Sequence, residues 1–264
     1  LPDSPPQPSL DGLALSPAPM ASPPKKAPKL SFIAPTFDQE LPATSGRAAV
    51  LVGDFQIKLA VKDWDRKAKG SHIHFMLDEG KNGQTTLLPA GTQPSFEAPL
   101  SLSALSRNQP LAAGEHVLAA FACRSGHASI KTEGSLAVVR FWVGAKRAHP
   151  RWSPTLPMLL FFHPEVQFEQ SGAVRAWIDW QLRNVALGAG QYRLDLSINE
   201  GAAPRETRRR FGITEWRPYF IEGLQEEPGA YTITLQLVDS SGKPVLGPWT
   251  SASQAIRTRH PGPS

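Results

Sequence analysis

From residue 46 onward apolar side chains recur at every second position, the spacing of a strand with one covered face. Phe55, Ile57, Leu59 and Val61 alternate with Gln56, Lys58, Ala60 and Lys62, and Ile73, Phe75 and Leu77 alternate with His72, His74 and Met76. Farther along, Val174, Ala176, Ile178, Trp180 and Leu182 form one row, with Arg175, Trp177, Asp179, Gln181 and Arg183 opposite them. Tyr192 to Ile198 and Tyr231 to Leu237 repeat the period. Helical spacing is nearly absent, so the predicted fold class is all-β.

The halves echo each other. "HIHFMLDEG" (72–80) aligns with "RLDLSINEG" (193–201), and "GEHVLAAF" (114–121) with "GAYTITLQ" (229–236). Each copy has a strand running into a Glu-Gly turn and, later, a Gly-x-aromatic start to a long alternating strand. Two copies of about a hundred residues suit two tandem immunoglobulin-like β-sandwiches, with His116 and Tyr231 where such sandwiches place a corner aromatic. The predicted organisation is an extended Pro-rich N-terminal arm (1–45), sandwich 1 (46–146), a linker (147–156), sandwich 2 (157–258) and a tail (259–264). The linker segment "AKRAHPRWSPTLP" has three prolines and four basic residues, which predicts a short, stiff hinge.

The arm holds 11 of the 26 prolines and only two aromatics, Phe32 and Phe37. That composition predicts no core of its own and an extended, polyproline-like tether. A start at Leu1 rather than Met fits a leader removed on export, which would place the protein outside the cytoplasm.

Composition narrows the rest. The 26 prolines and 21 glycines argue against a helical bundle, and the longest apolar run, Met158 to Phe162, is far too short to span a bilayer. One cysteine, Cys123, rules out an internal disulfide framework. A net charge of +5 raises the question of an acidic partner. The charge is concentrated in "RETRRRFGITEWR" (205–217), predicted to be an exposed loop. Arg205, Arg208, Arg209 and Arg210 are therefore candidate partner-binding residues, suited to an acidic protein face or anionic lipid headgroups. No nucleic-acid motif accompanies them, so nucleic acid is not an expected partner. Trp177, on the polar row beside Arg175 and Asp179, is a candidate interface residue, and Phe32 and Phe37 are candidates in the arm.

Catalytic signatures are missing. The chain has no Gly-x-Ser-x-Gly elbow, no phosphate-binding Gly-x4-Gly-Lys-Ser/Thr loop and no His-Glu-x-x-His, so no catalytic residues and no cofactor are assigned.

The segments "SHIHFMLDEG", "GEHVLAAF" and "VVRFWV" of the first half, with "ITEWRPYFIEGL" and "YTITLQLVDSSGKPVLGPW" of the second, resemble those of uncharacterised bacterial envelope proteins with tandem immunoglobulin-like domains, chiefly of cyanobacteria-type bacteria. The resemblance covers about residues 46–255 and implies a fold and a periplasmic setting, with no activity to carry over. It makes a photosynthetic reaction centre with its antenna, or a respiratory complex, the natural host. The expected function is a noncatalytic accessory subunit that docks on other protein subunits of such a membrane-bound complex.

Two alternatives stay open. "SHIHFMLDEG" followed by "GEHVLAAFACRSGHASIK" resembles, more weakly, the cupredoxins, which implies a copper electron carrier with His72, Cys123 and His127 as ligands. No Met or Gln follows His127 in the usual loop, and His72 and His74 pointing outward beside an inert Cys123 is the plainer expectation. The other alternative is a cell-wall or carbohydrate-binding module that stacks sugars on Trp177 or Trp64.

Overall fold

The computed structural model describes residues 12–20, 26–42, 55–64, 71–78, 100–106, 111–124, 128–162, 164–169, 172–200, 209–226 and 230–258. These fold into two compact units, one of residues 21–160 with 181–184, the other of residues 1–20, 161–180 and 185–264. Both are built from strands, and the α-helix among the described residues is a single turn, α1 (Leu102–Leu105), whose N-cap Ser101 Oγ accepts from Ala104 N at 3.1 Å.

The N-terminal segment gives β1 (Ala14–Pro17), β2 (Lys29–Ala34) and β3 (Gln39–Leu41). The remaining strands of the first unit are β4 (Gln56–Lys62), β5 (His72–Leu77), β6 (Leu100–Ser101), β7 (Gly114–Cys123) and β8 (Leu136–Val143). They form sheets of order β2-β4-β6 and β3-β8-β7-β5. Every pairing is antiparallel except β3 with β8, which run parallel with Gln39 opposite Phe141. Residues 29–41 thus begin in one sheet and cross to the other. Between the sheets lie Leu41, Ile57, Leu77, Leu102, Leu118, Val139 and Phe141, with Phe32 and Phe75 packed against them.

This corrects the expected arm. Residues 12–20 and 26–42 do not form a coreless tether, because Phe32 and Leu41 belong to the first core and Leu13 and Ala18 are buried. Proline lacks an N–H and is tolerated at sheet edges. Each of β1, β2 and β3 is a terminal strand in its sheet, so a proline-rich segment supplies edges without breaking a ladder.

After β9 (Met158–Phe161) come β10 (Glu165–Phe168), β11 (Val174–Ile178), β12 (Trp180–Arg183), β13 (Arg193–Glu200), β14 (Arg209–Ile213), β15 (Tyr219–Leu224), β16 (Ala230–Val238) and β17 (Ser251–Arg257). The second unit pairs β1-β15-β11-β10 in one sheet and β14-β13-β16-β17 in the other. Leu194, Leu196, Ile198, Ile233, Leu235 and Leu237 are fully buried, as their alternation predicts. The row from Val174 to Leu182 is not one strand. It breaks at buried Asp179, whose Oδ1 accepts from Trp180 N at 2.8 Å, and β12 pairs with β9 instead.

The aligned repeats hold up as structure: β5 pairs with β7, and β13 with β16. Tyr231 accepts a hydrogen bond on its hydroxyl from Gln225 N, six residues upstream, at 3.0 Å, the tyrosine corner of immunoglobulin-like sandwiches. The segment 147–156, expected as a linker, lies within the first unit. Arg151 N and Trp152 N donate to the Glu115 carboxylate at 2.6 and 2.7 Å, and Trp152 is buried. The predicted tail, 259–264, lies outside the described residues.

Candidate functional site

The arginine cluster is partly a strand. Arg205 and Arg208 lie outside the described residues, while Arg209 and Arg210 are exposed on β14 rather than in a loop. Register places Arg209 opposite Ile198 and Arg210 opposite Ser197. The Arg209 guanidinium lies 5.7 Å from the centre of the Phe211 ring, which props the side chain on an aromatic base. β14 ends its sheet, so these two cations stand along an outer row of backbone donors and acceptors.

The aromatic candidates are placed differently from expectation. Trp177 does occupy the outward row of β11, yet it is only 7% exposed. Phe220 stands opposite it on β15 and Glu165 on β10, and the Arg175 guanidinium covers the Phe220 ring at 4.0 Å. Long side chains on the outer face of a four-stranded sheet shield one another, and Trp177 is therefore not available to a partner. Phe32 packs against the first core. Phe37 remains 50% exposed, with the Arg140 guanidinium 4.8 Å from its ring centre.

Arg140 is the hub of a buried polar group. Its Nε and Nη2 donate to Asp38 at 2.5 and 2.9 Å, and its Nη1 donates to the carbonyl of Trp152. Trp142 Nε1 and Lys146 Nζ complete the donors around Asp38, at 3.2 and 2.5 Å. The Arg140 hydrogen bonds hold the Asp38 carboxyl far below the ordinary carboxylate range against the cost of its burial, with Lys146 and Trp142 adding to the effect.

His116 is the first unit's corner residue, and it works through two acceptors. Its Nε2 donates to the Ala112 carbonyl at 2.7 Å and its Nδ1 to the Asp78 carboxylate, while Asp78 Oδ1 also accepts from Val117 N at 2.9 Å. A ring facing an acceptor at each nitrogen is satisfied only as imidazolium. Burial opposes that charge, but Asp78 and the Ala112 carbonyl outweigh it and raise the pKa above the ordinary histidine value.

Of the copper candidates, His72 and Cys123 are brought together and His127 lies outside the described residues. The third member is His74. His72 stands directly opposite Cys123 in the β5–β7 ladder, and His74 follows two residues on, so all three side chains leave the same face. The His72 and His74 Nε2 atoms are 2.8 Å apart, and the donor atoms of the three residues lie within 4.8 Å of one another. The His74 ring stacks on Phe121, 5.2 Å away and 4° from parallel. The expected outward, solvated histidines are corrected here: this face of the sheet is itself covered, leaving His74 and Cys123 buried and His72 half-buried. The His-x-His spacing signalled the shared face; Cys123 joins it only through strand register.

No family model matches the sequence, and no curated protein matches it. Among solved structures the chain is similar to the fibronectin(III)-like modules of Clostridium thermocellum CbhA, at 16% identity over 87% of this chain and 94% of that one, with a TM-score of 0.24. It is also similar to the Bacteroides ovatus mixed-linkage glucan utilization locus protein SGBP-B, in complex with a mixed-linkage heptasaccharide, at 12% identity over 89% and 70% of the two chains, TM-score 0.21. Chicken VE-cadherin EC1-2 matches at 12% identity over 87% and 98%, TM-score 0.20. The sandwich fold itself stands on strand order and the corner residues.

Proposed function

We propose that this chain is a noncatalytic accessory subunit that docks, through the β14 edge, on a protein of a membrane-bound complex at its extracytoplasmic face. The observation that carries the reading is the terminal strand bearing Arg209 and Arg210, both exposed, beside an outer row of peptide groups. An extended segment of a partner adds to such an edge by main-chain hydrogen bonds. The guanidinium groups favour a segment carrying carboxylates and disfavour basic ones, since charged edge residues also suppress indiscriminate pairing. The net charge of +5 adds long-range attraction to an acidic face. The buried ionic groups support a structural rather than a reactive use: Asp38 with Arg140 fastens β3 to β8, and His116 with Asp78 fastens the start of β7 to the end of β5.

The test is co-purification from gently solubilised membranes. The native protein is expected to run with a large complex, and Arg209→Glu with Arg210→Glu to release it as a free chain with its circular dichroism unchanged. Retention of the double variant on the complex refutes docking at β14, and a native protein that runs alone refutes docking altogether.

A further inference from the structure

His72, His74 and Cys123 form a set of converging donors that the docking reading does not use. We propose that they are a binding site for a single cuprous ion, a role independent of docking at β14. The ligands would be His72 Nε2, His74 Nε2 and Cys123 Sγ.

Three facts of geometry support the site. Strand register fixes two of the donors opposite each other and the third one pleat away, so convergence is built into the backbone. The two Nε2 atoms already meet, 2.8 Å apart. Two nitrogens held at ~2.0 Å in a trigonal plane by one ion stand about 3.5 Å from each other, so the pair opens by about 0.7 Å to admit it. Phe121 sets the plane of the His74 ring by stacking on it, as a supporting residue does for a ligand imidazole.

The choice of ion follows from softness, number and charge. A thiolate with two imidazoles and no carboxylate suits a thiophilic ion over magnesium or calcium. Three donors complete the trigonal coordination that cuprous copper accepts, whereas structural zinc takes four. Cuprous ion and thiolate also sum to zero charge, while a zinc ion would leave a net positive charge in a covered site, at a large desolvation cost. Met76 continues the same face of β5 and is buried, adding a further soft, apolar side chain beyond His74. Half-buried His72 gives the ion its way in.

Binding breaks the Cys123 S–H bond, and that proton leaves to solvent. The Nε2–Nε2 hydrogen bond breaks as well: the imidazole that carried its hydrogen on Nε2 loses it to solvent and takes one up on Nδ1, a tautomer change with no net proton release that frees both Nε2 lone pairs for the metal. No electron is transferred when copper is supplied as the cuprous ion.

The experiment titrates the full chain anaerobically with cuprous ion against a chromophoric cuprous chelator. One ion per chain is expected, with a proton released at binding, a rise in melting temperature and an X-ray absorption spectrum showing one sulfur and two nitrogen neighbours. His72→Asn, at the most exposed of the three positions, is expected to keep the native circular dichroism and to weaken binding by ~100-fold or more. Cys123→Ser is expected to remove the sulfur scatterer. Failure of the native protein to compete with the chelator overturns the site. So does a His72→Asn variant that folds and binds as tightly as the native chain. Equal affinity for zinc overturns the assignment to copper.

Discussion

Two ionic pairs show how single residues set the stability of the first unit. Asp38 is held by Arg140, and their side chains are only 15% and 6% exposed. Removing one member of such a pair leaves the other charge buried, so Asp38→Asn is expected to cost about 3 kcal/mol in chemical denaturation at neutral pH. Because the folded carboxyl is depressed, its contribution is complete above the unfolded value of ~3.9 and is lost as pH falls below it. The gap between native and variant should therefore close in acid. His116 has the opposite sign. Its raised pKa contributes stability that is complete below about pH 6.5 and declines as pH climbs through the folded value, with Asp78, Arg151 and Glu115 as its charged surroundings. Denaturation of the native chain at about pH 6 and pH 9 should show that loss, and His116→Gln should flatten it. The corner position of His116 was legible from its alignment with Tyr231. Its charge state was not, since the Asp78 partner lies 38 residues upstream and only the β5–β7 pairing brings it near.

At the scale of the element, the period of two found the strands with one covered face and misjudged those with two. β13 and β16 read cleanly. The outward rows of β5, β7 and β11 are covered as well, which hid the burial of His74, Cys123 and Trp177. Strands of three to six residues set among prolines also escaped, although "KLSFIA" in β2 alternates in burial as a strand should. The β1 strand depends on one residue of its neighbour. Across from β11, β15 carries an extra residue between Ile221 and Leu224, and Gly223 there has φ +80. A Cβ on Gly223 would collide with the carbonyl of Gly12. Gly223→Ala is thus expected to cost about 1–3 kcal/mol, part strain and part loss of β1, with faster amide exchange along residues 12–18 as the readout.

Over the whole chain, one N-terminal segment serves two units in turn. Residues 14–17 pair with β15, and residues 29–41 supply two strands to the other core. Truncation before residue 21 should lower only the melting transition of the unit containing β15, while truncation before residue 43 should abolish the other as well, as calorimetry would show. The fold class and the duplication were written in the chain's periodicity. This sharing was not, because pairing between distant segments leaves no local pattern. It also gives the protein an unusual order of assembly. Ser16 bonds Glu222 across a separation of 206 residues, so a piece that leaves the ribosome long before its partner strand is fitted late. Until its place exists it is free to be taken by a neighbouring nascent copy, and two such chains trading their opening strands would make an intertwined dimer without one new contact.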